Sequence, residues 1–227
     1  MTWRIEELED KTTATAYSDW NERWKTDEGR NKWLAPEVEV ETLARFLLET
    51  GARRTLDLGC GVGRHSLFLA SSGFFVVALD ASEAGIAFAR ASKIAGDCNV
   101  SFLIALMTEF PLAESTFDYL LAWNVIYHGN RIIVEHTLGE IRRVLRPGGF
   151  FQGTMLSKRN RNYRQGREIS PETFVLDGAT DDKAHPHFYC DAVELESLFA
   201  GFDLLRLTDC EREGPGSNHW HFVAKRV

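Results

Sequence analysis

Two aspartates and three alternating glycines form the densest group of chemically useful residues in this sequence. They are Asp57-Leu58-Gly59-Cys60-Gly61-Val62-Gly63 and, further on, Asp80. Glycines at alternate positions let backbone approach a ligand closely and adopt left-handed dihedrals. The dinucleotide fingerprint is spaced GxGxxG, with its third glycine packing a helix under a pyrophosphate. Here the spacing is GxGxG, and a carboxylate precedes the first glycine by two residues. That carboxylate suits an ammonium or a hydroxyl group better than a pyrophosphate. A phosphate-cradling P-loop is excluded, because no GK[ST] follows. Asp80 is placed to accept ribose hydroxyls. The ligand implied is a nucleoside that carries a cation and lacks phosphates, a description that S-adenosylmethionine fits.

Other residues bear on what such a ligand would meet. His128, Tyr127 and His187 are candidate general bases, and a pKa near operating pH favours histidine. His128 follows a predicted strand; its alternative role is a loop histidine that caps a helix. Tyr17, Trp20, Trp24 and Trp33 could close over the site and attract a cation. Trp20 and Trp24 are also one helical turn apart, as in a helix packed on a core. Lys158, Arg159, Arg161, Arg164 and Arg167 form a basic run, read as a solvated loop in preference to a grip on RNA or an acidic substrate. His185-Pro186-His187 with Cys190 lacks metal-ligand spacing, so no metal is expected. His219 and His221 alternate along the last strand and share one face. Cys60 is a small packing residue inside the glycine turn and not a nucleophile.

The elements that must position these residues can be read from apolar patterning. Pro36 opens a helix with Val40, Leu43 and Leu47 on one face, and Gly51 follows as a cap. Thr55–Leu58 is a short strand that runs into the glycine turn, and a helix follows from Arg64 to Ser71. Phe74–Leu79 is a continuous apolar run, as in a strand buried on both faces. Ser82 N-caps a helix reaching Gly96 through Ala84, Ala87, Ala91 and Ile94. Strands are predicted at 100–104, 117–122 and 150–155. A helix carrying Val134, Leu138, Ile141 and Leu145 is stopped by Pro147-Gly148-Gly149. A lid-like insertion (156–187) precedes a helix at 192–199 and strands at 202–207 and 219–225. Strands alternating with helices mean an α/β fold with a largely parallel, doubly wound sheet. The last strand, tightly connected to the one before it, pairs antiparallel. No linker divides the chain, so one domain over 1–227 is expected, with 1–35 as an N-terminal cap segment.

Composition narrows the function. The 227 residues carry 26 Lys plus Arg against 33 Asp plus Glu, a net charge of −7. An acidic chain is a poor general ligand for phosphate backbones or anionic membranes. No apolar run approaches a membrane span. The first residues lack an apolar signal stretch, so a cytoplasmic location is expected. The four cysteines are scattered without a CxxC pair, which argues against a zinc ribbon and a disulfide framework.

Asp57–Gly63, Asp80, the segment Phe110-Pro111-Leu112 with Ser115-Thr116-Phe117-Asp118, and Arg146-Pro147-Gly148-Gly149 together resemble the class I S-adenosylmethionine-dependent methyltransferases. The resemblance implies a Rossmann-like seven-stranded sheet, mostly parallel with the last strand antiparallel. It implies S-adenosyl-L-methionine as cofactor. The methionine moiety would lie against Asp57, Gly59, Cys60, Gly61, Gly63 and Arg64, and the ribose on Asp80. Ala81 would flank the adenine, and Trp123 would lie beside the sulfonium. Leu106 stands where the family usually has an aspartate near the adenine amine, so Met107 and Thr108 would hold that ring. Gly63-Arg64-His65-Ser66-Leu67 and the stretch from Phe188 to Phe202 resemble the tellurite-resistance subgroup. The implied activity is in-line methyl transfer to a small-molecule acceptor held by Tyr17, Trp20, Trp24, Tyr127 and His187. Two other functions fit the sequence: an RNA, DNA or protein methyltransferase, and a protein that binds S-adenosylmethionine without turnover.

Overall fold

The computed structural model describes residues 16–92, 99–179, 184–212 and 214–227. The end of the helix predicted to reach Gly96, with Ile94, and also Cys98, lie outside these residues. The first described elements are helices α1 (Ala16–Arg23) and α2 (Asp27–Arg30) and a 3-10 turn (Asn31–Trp33). Helix α3 (Val38–Glu49) buries Val40, Ala44 and Leu47, spaced to form one apolar stripe. Two βα units and a third strand follow: β1 (Arg54–Leu58) with α4 (Arg64–Ser71), β2 (Phe75–Asp80) with α5 (Glu83–Ser92), then β3 (Val100–Ile104). Next come β4 (Phe117–Ala122), α6 (Arg131–Val144) and β5 (Leu145–Ser157). Beyond β5 lie β6 (Arg167–Ser170), β7 (Thr173–Val175), β8 (His187–Cys190), α7 (Ala192–Leu198), β9 (Phe202–Glu211) and β10 (Asn218–Arg226).

The central order is β3-β2-β1-β4-β5, all parallel. Strand β10 lies antiparallel between β5 and β9. This gives the expected seven strands with the last one antiparallel, in an α/β doubly wound sheet. Every residue of β4 is buried, because this strand is sandwiched laterally by β1 and β5 and covered on both faces. Asp118 is the polar exception. Its Oδ2 accepts the Arg53 and Arg54 N–H groups at 2.6 and 2.8 Å, and its Oδ1 pairs with Arg146 at 2.9 Å. One carboxylate thus pins the start of β1 against β4 and β5.

Two expectations are corrected. The Pro147-Gly148-Gly149 stop does not precede β5 but lies within it: the strand already starts at Leu145. Gly148 takes a φ of 74°, and the pairing with β4 shifts register here, so an irregular strand start absorbs the turn residues. The 156–187 insertion is also not merely a loop. It carries β6 and β7 as an antiparallel hairpin, and β8 joins this hairpin to the end of β5, bringing the described sheet to ten strands. The short length of these strands kept their alternation below what the sequence pattern reveals.

The basic run of this insertion is tied into the fold. Lys158 bonds Glu172 and Glu194 at 2.9 and 2.8 Å, Arg159 lies 3.6 Å from Asp209, and Arg161 donates to the Pro215 carbonyl. Arg164 stacks over Tyr163 and Arg167 pairs with Asp177.

Candidate active site

Strand order reverses between β1 and β4, and in open α/β sheets ligands bind at the carboxyl ends of strands near such a point. A cavity open to solvent lies there. Its floor is the turn after β1. Gly59 has a φ of 66°, and a Cβ on it would fall 2.2 Å from the Val125 side chain. Gly61 has a φ of 51°, and a Cβ there would press on the Trp24 ring at 3.1 Å. Both positions therefore need glycine for conformation and for space. Asp80, at the end of β2, faces this turn. Its Oδ2 accepts the Gly61 N–H at 2.7 Å and its Oδ1 the Ser82 N–H at 2.7 Å. Burial raises its pKa despite these bonds. Each oxygen keeps a further lone pair for a hydroxyl donor.

The cap comes from the N-terminal helices. The Asn21 side-chain oxygen accepts the Ala84 N–H at 2.9 Å and the Ser82 hydroxyl at 3.1 Å. Ser82 in turn accepts the Gly85 N–H as the N-cap of α5. This hook holds α1 over the carboxyl end of β2. Trp20 stacks on Trp24 at 4.9 Å between centroids, and Trp33 meets both edge-on. All three line the cavity with Tyr17. The two roles weighed for these tryptophans therefore coincide: Trp24 is buried in packing and also walls the site. Among the described residues, the buried indole nitrogens of Trp20 and Trp33 have no hydrogen-bond partner. Arg64 stacks on Trp33 at 5.1 Å and pairs with Glu37 at 3.1 Å.

The far wall is built after β4. Trp123 packs edge-on against His221, and Asn124 holds a left-handed φ of 58°. That strain is tolerated because asparagine enters this region more readily than most residues, and because Thr154 binds it twice, accepting its N–H and donating to its Oδ1. The bend directs the Asn124 carbonyl at Nε2 of His128, 3.1 Å away. His65 and His221 are neutral. Burial pushes His65 well down, while burial and Arg212 push His221 down to about 4. His65 Nε2 accepts the Glu37 N–H.

Of the residues expected at the site, Gly59, Cys60, Gly61, Arg64, Asp80, Ala81, Met107, Thr108, Trp123, Tyr17, Trp20, Trp24 and His128 line the cavity. Asp57, Gly63, Tyr127 and His187 do not. Asp57 follows the strand pleat to the face opposite Leu58, where it is buried and accepts the Ser66 hydroxyl at 2.5 Å. Burial raises its pKa to about 7. Gly63 is the left-handed N-cap of α4, and its missing side chain lets Ala89 of α5 approach. Tyr127 and His187 are buried behind His128, with ring centroids 4.7 and 4.8 Å from it. The Cys60 thiol is pushed far up by burial and by Asp80 and Asp57, so it packs and does not attack. Leu106 also borders the cavity. His65, Asn124, Val125 and Ile133 were missed as lining residues. Only the turn-forming propensity of asparagine after a strand could have flagged one of them.

The cradle suits the implied nucleoside. It combines a side-chain-free turn, a carboxylate aimed at hydroxyl donors, and a wall of indole rings.

Comparison with known proteins agrees. Residues 55–149 match the family described as a methyltransferase domain. A demethylmenaquinone methyltransferase of Clavibacter sepedonicus is 39% identical over 107 residues, which are 46% of this chain and 42% of that protein. The probable S-adenosyl-L-methionine-dependent methyltransferase TehB of Haemophilus influenzae is 30% identical over 97 residues, 43% of this chain and 34% of that protein. The chain thus spans less than half the length of these curated relatives. Among solved structures, a Burkholderia thailandensis 1,6-didemethyltoxoflavin-N1-methyltransferase, with that compound and S-adenosylhomocysteine bound, superposes with a TM-score of 0.71. It is 21% identical and covers 100% of this chain and 92% of its own.

Proposed function

We propose that the chain, whose residues 55–149 match the family described as a methyltransferase domain, is a class I S-adenosylmethionine-dependent methyltransferase that, acting as one domain with its N-terminal helices as cap, transfers a methyl group to a small-molecule acceptor. The observation that carries this reading is that Asp80 and the left-handed glycine turn meet at one hydrogen bond on the floor of one cavity. When bound, S-adenosylmethionine supplies a methyl group on a sulfonium and a neutral thioether as leaving group.

The chain's own residues then have few tasks. Asp80 accepts the ribose hydroxyls, and the backbone of Gly59–Gly61 lies along the methionine moiety. Ala81, Met107 and Thr108 flank the adenine, and Trp123 stands at the sulfonium end. Trp20, Trp24 and Trp33 exclude water and present aromatic faces that favour a cation by roughly 0.5–2 kcal/mol each. Aligning acceptor and methyl group in this enclosure accounts for roughly 7–11 kcal/mol of barrier.

A small acceptor is favoured by the cap, which narrows access to the cavity, and by the ion pairs that occupy the basic run. Net charge −7 speaks against a nucleic acid. Among the described residues no helix is long and apolar enough to cross a membrane, and the dispersed cysteines support a cytoplasmic setting.

A second reading, binding without turnover, draws on His128. Its Nε2 is turned to Asn124 and its Nδ1 to His185. Incubating the full chain with methyl-labelled cofactor and a panel of thiol, hydroxyl, amine and chalcogen-oxyanion acceptors tests both. Transfer to any one acceptor supports the proposal; cofactor binding with no transfer to any of them favours the second reading.

A further inference from the structure

Folding brings His128 from the loop after β4 to His185 and His187 at the start of β8, although the sequence separates them widely. The backbone holds them there: the Gly129 N–H donates to the Pro186 carbonyl at 3.0 Å, and the Phe188 N–H to the Tyr127 carbonyl at 2.9 Å. All three side chains are buried, and one ring nitrogen from each lies within 4.8 Å of the others.

The remaining nitrogens define the tautomers. His128 Nε2 faces the Asn124 carbonyl at 3.1 Å, and His185 Nδ1 faces the Asp19 carboxylate at 3.2 Å. His187 Nδ1 faces the His185 carbonyl at 2.8 Å. Those oxygens only accept, so these nitrogens carry the protons. The nitrogens that the His128 and His185 rings turn to each other are then His128 Nδ1 and His185 Nε2, which lie 2.9 Å apart and share one hydrogen bond, so a metal ion entering there displaces the proton between them.

We propose that His128, His185 and His187 form a binding site for a divalent transition-metal ion at the acceptor end of the cavity. A pair of nitrogens at that separation subtends about 90° at an ion bound at about 2.05 Å. That is an edge of a facial triad that leaves other positions open. In such a triad every pair of ligand nitrogens lies about 2.9 Å apart, so from a spread of 4.8 Å binding draws the third ring inward by up to about 1.9 Å. Imidazole ligands suit zinc, iron, nickel and copper. Asp19 and the two backbone carbonyls supply the oxygen acceptors that orient metal-binding histidines.

His128 borders the cavity beside Trp20 while His185 and His187 are buried behind it, so the ion would sit behind the His128 ring and reach an acceptor only through a position that the histidines leave open. Its part in catalysis rests on the methyltransferase reading. A hydroxyl or thiol acceptor binding the ion loses its proton to solvent more readily. Its lone pair then forms the bond to the methyl carbon, and the carbon–sulfur pair leaves with sulfur.

The test uses the full chain, stripped with chelator and titrated with Co²⁺ and with Zn²⁺ in the absence of cofactor and acceptor. One equivalent bound, with visible Co²⁺ absorption bands, is expected. His187→Ala should abolish stoichiometric uptake, and Asp19→Asn, at a half-exposed carboxylate outside the ligand set, should weaken it about 10–100-fold. Unchanged S-adenosylhomocysteine binding shows that each variant is folded. No uptake by the unaltered chain, equal uptake by His187→Ala and Asp19→Asn, or a titrating imidazole proton with no metal bound would each overturn the proposal. Because no methyl transfer is read, a chain that takes up the ion but methylates nothing loses only the methyltransferase reading.

Discussion

The Gly61 N–H points at the Asp80 carboxylate from 2.7 Å, so a single hydrogen bond joins the turn after β1 to the end of β2. The bond fixes the carboxylate where a ribose would lie. Asp80→Ala removes a charged acceptor, and bonds to charged groups contribute about 1.5–3 kcal/mol. We expect S-adenosylhomocysteine affinity to fall by about 10–100-fold in calorimetry. Unchanged affinity would remove Asp80 from ribose recognition.

This turn was legible in the sequence because glycine spacing and a strand-ending aspartate are local signals. The position of β2 was legible too, since the continuous apolar run Phe74–Leu79 ends at Asp80. What the sequence concealed is non-local. Asp57 seemed to belong to the ligand, yet the pleat turns it away from the cavity to Ser66. His128 seemed to be an isolated base, and only the pairing of its loop with β8 brings it to His185 and His187. The weight of the N-terminal tryptophans depended on Asn21 reaching the start of α5, which no periodicity announces.

Asp57 makes stability depend on pH. Its pKa rises from 3.8 to about 7 on folding, chiefly through burial. The folded chain therefore keeps a proton that the unfolded chain releases above about pH 4, and stability falls as pH rises from there to about 7. Denaturant unfolding between pH 5 and 8 should show this decline, and Asp57→Asn should flatten it. An equal slope in the variant would place the titration elsewhere.

Asn21 is the hook of the cap. Asn21→Ala leaves the Ala84 N–H without its acceptor, a loss comparable to a helix cap at about 1 kcal/mol. The cap should loosen and its three tryptophans become more accessible. Acrylamide quenching of tryptophan fluorescence should increase, and S-adenosylhomocysteine should bind more weakly. Quenching equal to that of the unaltered chain would show that other contacts hold α1.

The cavity is built for an adenosine without phosphates, and that is tested most directly by titrating the full chain calorimetrically with S-adenosylhomocysteine and, separately, with NAD⁺. One equivalent of S-adenosylhomocysteine should bind, with no heat from NAD⁺. Binding of the dinucleotide in its place, or of neither compound, would contradict the account.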